Sequence, residues 1–220
     1  MIAAIDGPAG SGKSTVAKRL AEALTFEYID SGAIYRTFTL YGMQRFDGNC
    51  AGHEQEIAEA IENDEGIISI SYLDHTQIMW LNGENVLDKI RSPELTAQVK
   101  YIADYPRCRE LVNQKIRGIA EQHSVVIDGR DIGTIVFPNA PYKFYLDAQP
   151  LVRARRRAKD LNIPIAGEAF DQLLESINQR DSYDMQRAIA PLKKAEDAIY
   201  IDTSDLTVDQ VLERVLSYFN

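Results

Sequence analysis

The sequence predicts an α/β fold in which a five-stranded parallel sheet carries helices on both faces. Three observations support this prediction. Short apolar segments alternate with amphipathic ones along most of the 220 residues. Residues 124–127 are rich in β-branched side chains, as is typical of a central parallel strand. A glycine-rich segment directly follows the first apolar run, and a loop of this kind joins a strand to a helix in many such folds.

The glycine-rich segment lies between residues 2–5, an apolar run that predicts a buried strand, and residues 15–23, whose apolar positions have a helical period. It runs from Gly7 to Ser14 and matches the pattern G-x-x-x-x-G-K-[ST]. Main-chain N–H groups and the positive end of a helix bind phosphates at such a turn. We therefore predict a P-loop NTPase fold that binds a nucleoside triphosphate, with Lys13 on the β- and γ-phosphates and Ser14 on Mg²⁺.

The periodicity of the remaining chain predicts further strands and helices. In chain order they are strand 26–29, helix 33–44, helix 54–63, strands 67–72 and 77–81, helices 94–103 and 107–122, strands 124–127 and 143–146, helices 150–161 and 170–185, strand 198–201 and helix 208–219. Two polar segments, residues 30–32 and 128–133, each follow a predicted strand of the parallel sheet. Open α/β sheets bind ligands at this edge, so both segments are expected in a binding site.

Residues 64–89 break the strand–helix alternation. Two strands are predicted there, and Asn82 and Gly83 give a type I′ turn signal before a short return strand around Val86. We predict a small antiparallel insertion in a single domain, 1–220, whose core comprises residues 1–63 and 90–220. An insertion at this place often carries the substrate.

Composition and charge restrict the class of protein. A net charge of −9 argues against a nucleic-acid-binding protein, which normally has a basic face. Cys50 and Cys108 lack metal-ligand spacing, so we expect reduced thiols in a cytoplasmic protein. We see no signal peptide and no apolar run near the roughly 18 residues that span a bilayer. Without a long heptad pattern, we expect a monomer.

Arginine distinguishes this chain from other P-loop proteins. A regulatory GTPase needs the patterns N-K-x-D and D-x-x-G, and neither is present. Arginines accumulate instead at the predicted ligand-facing ends: Arg36, Arg109, Arg130, Arg153, Arg156, Arg157, Arg180 and Arg187. Guanidinium groups bind phosphate oxygens in a two-point fashion, so a second phosphate-bearing substrate is indicated. Two alternatives stay open at this stage: another small kinase, for AMP, UMP or shikimate, and a regulatory module that hydrolyses ATP.

Four motifs in order resemble bacterial cytidylate kinases. They are IDGPAGSGKST at residues 5–15, DSGAIYR at 30–36, DGRDIGT at 128–134 and RDSYDMQR at 180–187. Residues 190–192, 195–198 and 201–204 are similar too. The resemblance implies transfer of the γ-phosphoryl group of ATP to CMP or dCMP with Mg²⁺. It also implies that the insertion is an extra nucleotide-binding sheet and that residues 150–170 form a short helical lid.

The resemblance also implies a role for each matching residue. The ATP-binding residues would be Gly7, Pro8, Ala9, Gly10, Ser11, Gly12, Lys13, Ser14, Thr15, Arg156 and Arg157. The CMP-binding residues would be Ser31, Arg36, Arg109, Arg130, Asp131, Arg180, Asp184 and Arg187. Among these, Ser31, Arg36 and Arg130 would contact the acceptor phosphate, Arg109 and Asp131 the cytosine, and Arg180 and Asp184 the ribose. The catalytic residues would be Lys13, Arg130, Arg153, Arg157 and Arg187, and Ser14 would be the metal ligand.

Chemistry independent of the family supports the acceptor site. The exocyclic amino group of cytosine is a donor that a carboxylate such as Asp131 accepts, whereas the O2 and N3 atoms of the base suit an arginine. No general base is needed, because a phosphate monoester has a second pKa near 6 and is largely dianionic at pH 7. Asp128 has two possible roles, one supporting the magnesium site and one capping the end of its strand.

One position departs from the family pattern. This chain has Lys100 where the family usually has a serine that contacts the base. A lysine there would narrow the base pocket, add a phosphate contact or extend into solvent. We expect CMP and dCMP to remain the best acceptors, with weaker discrimination against UMP.

Overall fold

The structure is a computed structural model, and it describes residues 1–64 and 66–219. Glu65, inside the predicted insertion, and Asn220 lie outside the described residues. The chain divides into two compact units. The first unit comprises Met1 and residues 25–125, and the second comprises residues 2–24 and the chain from Val126 onward.

The described residues contain eight strands in two sheets. The strands are β1 (Ile2–Asp6), β2 (Glu27–Asp30), β3 (Ile68–Leu73), β4 (Thr76–Leu81), β5 (Glu84–Asn85), β6 (Val125–Gly129), β7 (Tyr142–Asp147) and β8 (Ile199–Asp202). The larger sheet has the order β2-β6-β1-β7-β8, and β1 pairs with β7 in parallel, with Ile5 opposite Phe144. This five-stranded parallel sheet confirms the predicted fold class.

Helices join these strands. They are α1 (Lys13–Leu24), α2 (Ser31–Arg45), α3 (Glu54–Asn63), α4 (Pro93–Asp104), α5 (Pro106–Gln122), α6 (Pro150–Asp160), α7 (Glu168–Gln186) and α8 (Val208–Leu216). A five-residue π-helix (Ile132–Val136) follows β6. None of the helices in the described part of the chain is long and apolar enough to cross a membrane.

The core of the second unit follows from residue spacing. In α1 the buried residues Val16, Ala17 and Leu20 lie three or four positions apart, which is the spacing of one helix face. A separate apolar cluster joins α6 to α7 through Ala154, Ala158, Phe170 and Ile177. Small and apolar side chains therefore hold α6, which carries Arg153, Arg156 and Arg157, against α7, which carries Arg180.

The first unit contains the smaller sheet. Its antiparallel strands have the order β3-β4-β5, and Ile70 lies opposite Met79. Asn82 and Gly83 have φ angles of 50° and 78°, as the predicted type I′ turn requires. The return strand is β5, which ends just before Val86. A small antiparallel sheet is thus present in the predicted segment.

Several boundaries differ from the sequence prediction, and a local hydrogen bond accounts for the start of α2. Helix α2 begins at Ser31 because the carboxylate of Asp30 accepts the N–H of Ala33 at 3.0 Å and caps the helix. Helix α8 begins at Val208, as predicted, behind a capping box formed by Thr207 and Gln210. The sequence analysis did not predict the π-helix.

Candidate active site

The glycine-rich loop can be formed only with glycine at particular positions. Gly7 has a φ angle of 152°, and a Cβ atom there would lie 2.0 Å from the carbonyl oxygen of Leu146. Gly10 has a φ angle of 76°, and its Cβ would lie 3.1 Å from the Cβ of Arg153. Both glycines therefore let the loop pack against the main chain at the end of β7 and in α6. This packing fixes the position of the loop N–H groups.

Two further contacts hold the loop. The hydroxyl of Thr203, just after β8, donates to the carbonyl oxygen of Ser11 at 3.0 Å. Arg156 donates to the hydroxyl of Thr203 at 3.0 Å and to its carbonyl oxygen at 2.5 Å. Arg156, a predicted ATP-binding residue, thus connects α6 to the residues that support the loop.

Lys13 and Ser14 begin α1. The Lys13 side chain is buried, and its Nζ donates to the carbonyl oxygen of Pro8 at 3.2 Å, so the ammonium group lies over the loop. Ser14 is exposed, and its Oγ donates to the Oδ2 atom of Asp128 at 2.6 Å. Asp128 is buried near the end of β6. The Asp128 carboxylate therefore contacts the first turn of α1.

Arg153 supports the loop from α6. Its Nε donates to the carbonyl oxygen of Ala148 at 2.8 Å, and its Nη1 donates to that of Ala9 at 3.0 Å. It also forms an ion pair with Asp181 of α7, and both side chains are less than a tenth exposed. The other predicted arginines of α6 lie differently, since Arg157 is exposed and Arg156 is partly buried.

A second group of charges surrounds Asp184 of α7. Arg130 donates from Nε to Asp184 at 2.9 Å, and Nη1 of Arg187 lies 4.0 Å from the same carboxylate. Burial opposes ionisation of Asp184, but the neighbouring guanidinium groups, Arg130 foremost, hold its pKa below the ordinary value. Arg187 also lies 3.6 Å from Asp131 and donates from Nε to the carbonyl oxygen of Ala190 at 2.6 Å.

Arg180 belongs to the same network of charges. Burial, followed by the nearby charge of Arg130, lowers its pKa, while the carboxylates of Asp184 and Asp181 oppose this change. Since Arg180, Asp181 and Asp184 all lie within about one turn of α7, one helix presents both signs of charge. Five of the eight residues predicted to bind CMP belong to this network: Arg130, Asp131, Arg180, Asp184 and Arg187.

Asp6 is a buried carboxylate to which the sequence analysis assigned no role. It ends β1 and accepts the main-chain N–H of Ile132 at 2.9 Å and that of Gly133 at 2.7 Å. Burial raises its pKa to about 6, despite these two hydrogen bonds. An acidic residue that closes an apolar strand directly before a P-loop was the available sequence signal.

The other three predicted acceptor residues lie in the first unit. Ser31 is buried at the start of α2. Arg36 donates from Nη1 to the carbonyl oxygen of Ile90 at 3.1 Å and to the hydroxyl of Thr96 at 2.8 Å. Arg109 is buried, donates to the carbonyl oxygen of Ala103 at 2.9 Å and lies 5.5 Å from the centre of the Tyr35 ring.

Two further observations concern the first unit. Lys100 is exposed, with its Nζ 4.9 Å from the centre of the Tyr101 ring, which matches the outward-pointing alternative among the three considered. The buried side chain of Gln77 in β4 accepts the main-chain N–H of Asp30 at 2.7 Å. The sequence gives no sign of this contact, because the two residues are far apart in the chain.

Comparison with known proteins decides the family. The family model described as cytidylate kinase matches residues 3–220. The chain belongs to the cytidylate kinase family. A cytidylate kinase from Anoxybacillus flavithermus is 44% identical over 213 residues, which cover 97% of this chain and 93% of the relative. One from Caldanaerobacter subterraneus is 43% identical, with coverage of 96% and 91%.

One solved structure supports the fold of this cytidylate kinase family member. An uncharacterized protein from Eubacterium ventriosum superposes with a TM-score of 0.50 and 15% identity, over 99% of this chain and 97% of that chain. At this level of identity the likeness concerns the fold alone. The family resemblance drawn from the four motifs is therefore confirmed by the relatives, and the parallel sheet by the structure.

Proposed function

We propose that the chain transfers the γ-phosphoryl group of ATP to CMP or dCMP, giving ADP and CDP or dCDP, in pyrimidine nucleotide metabolism. The chain's membership of the cytidylate kinase family supports the acceptor. The geometry of the second unit supports the chemistry of phosphoryl transfer.

The donor half of the proposed site is the P-loop. Its N–H groups and Lys13 would hold the β- and γ-phosphates of ATP. Thr15, also exposed in the first turn of α1, belongs to the same phosphate-binding end of that helix. Arg156, attached to Thr203 beside the loop, and the exposed Arg157 are the arginines that we assign to ATP.

The residues at the start of α1 fit a magnesium ion. Mg²⁺ prefers oxygen ligands and is usually bound by one or two protein groups together with substrate phosphates. The Ser14 hydroxyl is exposed and 2.6 Å from the Asp128 carboxylate, so the first would ligate the ion and the second would orient that hydroxyl. When bound, the ion neutralises charge on the phosphate oxygens that surround the transferred group.

The acceptor half of the proposed site uses the charges around Asp184. Arg130 and Arg187 would bind the acceptor phosphate, and Asp131 would accept the amino group of cytosine. Asp184 and Arg180 would hold the ribose. We also assign Ser31 and Arg36 to the acceptor phosphate and Arg109 to the base; these three assignments rest on the family motifs.

Transfer itself requires positioning and neutralisation of charge more than proton transfer. The acceptor phosphate is already largely dianionic near pH 7, so no side chain has to remove a proton. Guanidinium groups that stabilise the transferred phosphoryl group are worth about 10³ to 10⁵ in rate in other phosphoryl-transfer enzymes. We assign this neutralisation of charge to the ammonium group of Lys13 and to the guanidinium groups of Arg130, Arg153, Arg157 and Arg187.

One observation carries the proposal: hydrogen bonds, ion pairs and the electrostatic interactions of Arg180 connect the P-loop to the acceptor charges. Arg153 contacts the carbonyl oxygen of Ala9 in the loop and pairs with Asp181. The carboxylates of Asp181 and Asp184 both stabilise the charge of Arg180, and Asp184 also pairs with Arg130. A phosphate loop and a cluster of arginines in one compact unit fit an enzyme that holds two phosphate-bearing substrates.

A panel of acceptors tests this proposal. The full chain is assayed for ADP release with ATP, Mg²⁺ and each of CMP, dCMP, UMP, AMP, GMP or shikimate, and the products are identified by chromatography. We expect CMP and dCMP to have the highest kcat/KM and chelation of Mg²⁺ to abolish turnover. ATP hydrolysis without an acceptor, or a preference for AMP or shikimate, would contradict the proposal.

Two parts of the proposal concern movement. The antiparallel sheet within residues 64–89 would carry the acceptor nucleotide, and residues 150–170 would close as a lid to exclude water. Solution scattering of the chain with ATP alone, CMP alone and a non-transferable ATP analogue plus CMP tests this closure. Unchanged scattering with both nucleotides would contradict it.

A further inference from the structure

Asp6 has a hydrogen-bonding arrangement that only a carboxylate provides. It is 5% exposed, and each of its oxygens accepts a different main-chain N–H, that of Ile132 at 2.9 Å and that of Gly133 at 2.7 Å. An asparagine has one acceptor and one donor on its side chain, so its NH₂ group would face an N–H. A buried charge is costly unless hydrogen bonds compensate it, and here both oxygens are used.

The two N–H groups begin the π-helix Ile132–Val136. The residue before it is Asp131, whose carbonyl oxygen accepts the N–H of Ile135 at 2.9 Å and that of Val136 at 3.2 Å. The peptide unit between Asp131 and Ile132 is therefore held at both ends, its oxygen by the π-helix and its N–H by Asp6. Because a peptide unit is planar, this arrangement fixes the position of the Cα atom of Asp131, from which its side chain leaves.

Gly133 allows Asp6 to come this close. A Cβ atom on Gly133 would lie 3.3 Å from the Oδ2 atom of Asp6 and 3.3 Å from the Cδ atom of Lys143. These distances are shorter than ordinary van der Waals contact, so a larger residue would push the turn away from the carboxylate. The sequence Asp131-Ile132-Gly133 is thus matched to an acid at the end of β1.

The carboxylate of Asp131 leaves this fixed turn toward the arginine network. Its Oδ1 atom lies 3.6 Å from Nη2 of Arg187, whose other nitrogen lies 4.0 Å from Asp184. Arg130, which directly precedes Asp131 in the chain, donates a hydrogen bond to Asp184. A shift of the turn would therefore move the two neighbouring side chains that we assign to the cytosine and to its phosphate.

We infer that Asp6 is a positioning residue for recognition of the acceptor base: it clamps the turn after β6 and so aims Asp131 at cytosine. This inference rests on the proposed function. Asp6 acts through Asp131 and Arg130 and does not touch the base. Replacing Asp6 should therefore lower the selectivity for CMP over UMP more than it lowers the affinity for ATP. We expect this although Asp6 directly precedes Gly7 of the P-loop.

The test compares Asp6→Asn with the wild-type chain. We expect kcat/KM for CMP to fall at least about tenfold and the ratio of CMP to UMP kcat/KM at least about fivefold. The Kd of ATP alone, measured by calorimetry, should change less than about threefold. The matched control is Asp202→Asn, because Asp202 also ends a strand and accepts a main-chain N–H, that of Ser204 at 2.8 Å, but is exposed.

Two further measurements keep the test decisive. Gly133→Ala disturbs the contact between Asp6 and Gly133 but keeps the charge of Asp6. We therefore expect it to lower the ratio of CMP to UMP kcat/KM less than Asp6→Asn does. If Asp6→Asn fails to fold, Gly133→Ala replaces it in the test. Amide hydrogen exchange at positions 132 and 133 should become faster in both variants. A folded Asp6→Asn chain with an unchanged CMP to UMP ratio, or with equal losses for ATP and CMP, overturns the inference.

The proposed function and this inference fail in different ways. If the wild-type chain does not phosphorylate CMP, the proposed function is wrong and the inference falls with it, whatever the variants do. If the wild-type chain prefers CMP and the variant keeps that preference, the inference alone is wrong.

Discussion

The ion pair between Arg153 and Asp181 gives the sharpest prediction about stability. We consider Asp181→Asn, which keeps the size of the side chain and removes its charge. The Arg153 guanidinium would then be buried without a charged partner, and its acceptors would be neutral: the amide oxygen introduced at position 181 and the carbonyl oxygens of Ala148 and Ala9. Breaking a buried ion pair by removing one partner costs about 3–5 kcal/mol, since it leaves an uncompensated buried charge.

The size of the effect follows from burial. The side chains of Arg153 and Asp181 are 5% and 8% exposed, so solvent screens the pair little. For a chain of this length about 1 kcal/mol shifts Tm by roughly 2–4 °C, so we expect Tm to fall by about 6–20 °C. Urea unfolding followed by circular dichroism measures the same loss as a free energy.

A double variant separates stability from catalysis. Replacing a buried pair by apolar residues of similar volume is often neutral or stabilising, so Arg153→Met with Asp181→Leu should recover most of the lost stability. Activity should not return, because Ala9 of the loop loses its guanidinium partner. The control is Asp209→Asn, since Asp209 pairs with Arg19 but is 78% exposed, and it should change stability by less than about 1 kcal/mol. A loss below about 1 kcal/mol in Asp181→Asn would refute the reasoning.

Three further predictions concern Asp6, Ser14 and Lys100. Because burial raises the pKa of Asp6 from 3.8 to about 6, the folded state takes up a proton more readily than the unfolded state, and lowering the pH stabilises it. Between pH 7.5 and 4.5 the wild-type chain should gain about 2 kcal/mol relative to Asp6→Asn in urea unfolding, and a constant difference would contradict this. Ser14→Ala should raise the Mg²⁺ concentration needed for half-maximal rate and lower kcat at least about tenfold, with metal-free ATP binding unchanged in calorimetry. Lys100→Ser should increase the ratio of CMP to UMP kcat/KM; an equal or smaller ratio would show that Lys100 does not weaken base discrimination.

The parts of the structure that depend on short stretches of sequence were predictable. The strands of the parallel sheet appear as apolar runs because parallel strands are covered on both faces. The P-loop is a local pattern between a strand and a helix, so its glycines and Lys13 were found without knowledge of any distant residue. The turn at Asn82 and Gly83 is local too, and its positive φ angles follow from the residue types.

The contacts that were missed join residues far apart in the chain. The π-helix Ile132–Val136 forms where Asp6, more than a hundred positions away, accepts its first two N–H groups. Apolar and β-branched residues in that segment give no sign of it. The partner of Arg153 is on the next helix, and only packing decides that Arg153 is buried while Arg157, one turn later, is exposed.

The aspartates at the ends of the parallel strands differ in what they bind. Some bind the turn that directly follows the strand, and others bind groups far away in the chain. Each parallel strand has an aspartate as its last or next-to-last residue: Asp6, Asp30, Asp128, Asp147 and Asp202. Asp147 and Asp202 each accept an N–H one or two residues later, so they shape the turns that follow. Asp6 and Asp128 instead reach distant groups, the π-helix and the Ser14 hydroxyl.

The order of the strands explains this difference. The chain leaves β1 toward one side of the sheet and β6 toward the other, so the crevice where ligands bind in open α/β sheets lies between these two neighbours. Asp6 and Asp128 end those two strands and are the buried ones, at 5% and 3% exposed. Burying the carboxylates of Asp6 and Asp128 between β1 and β6 costs free energy, whereas Asp202 at the end of β8 is exposed to solvent. The topology therefore determines which of several identical sequence signals belong to the site, and the residue pattern alone does not.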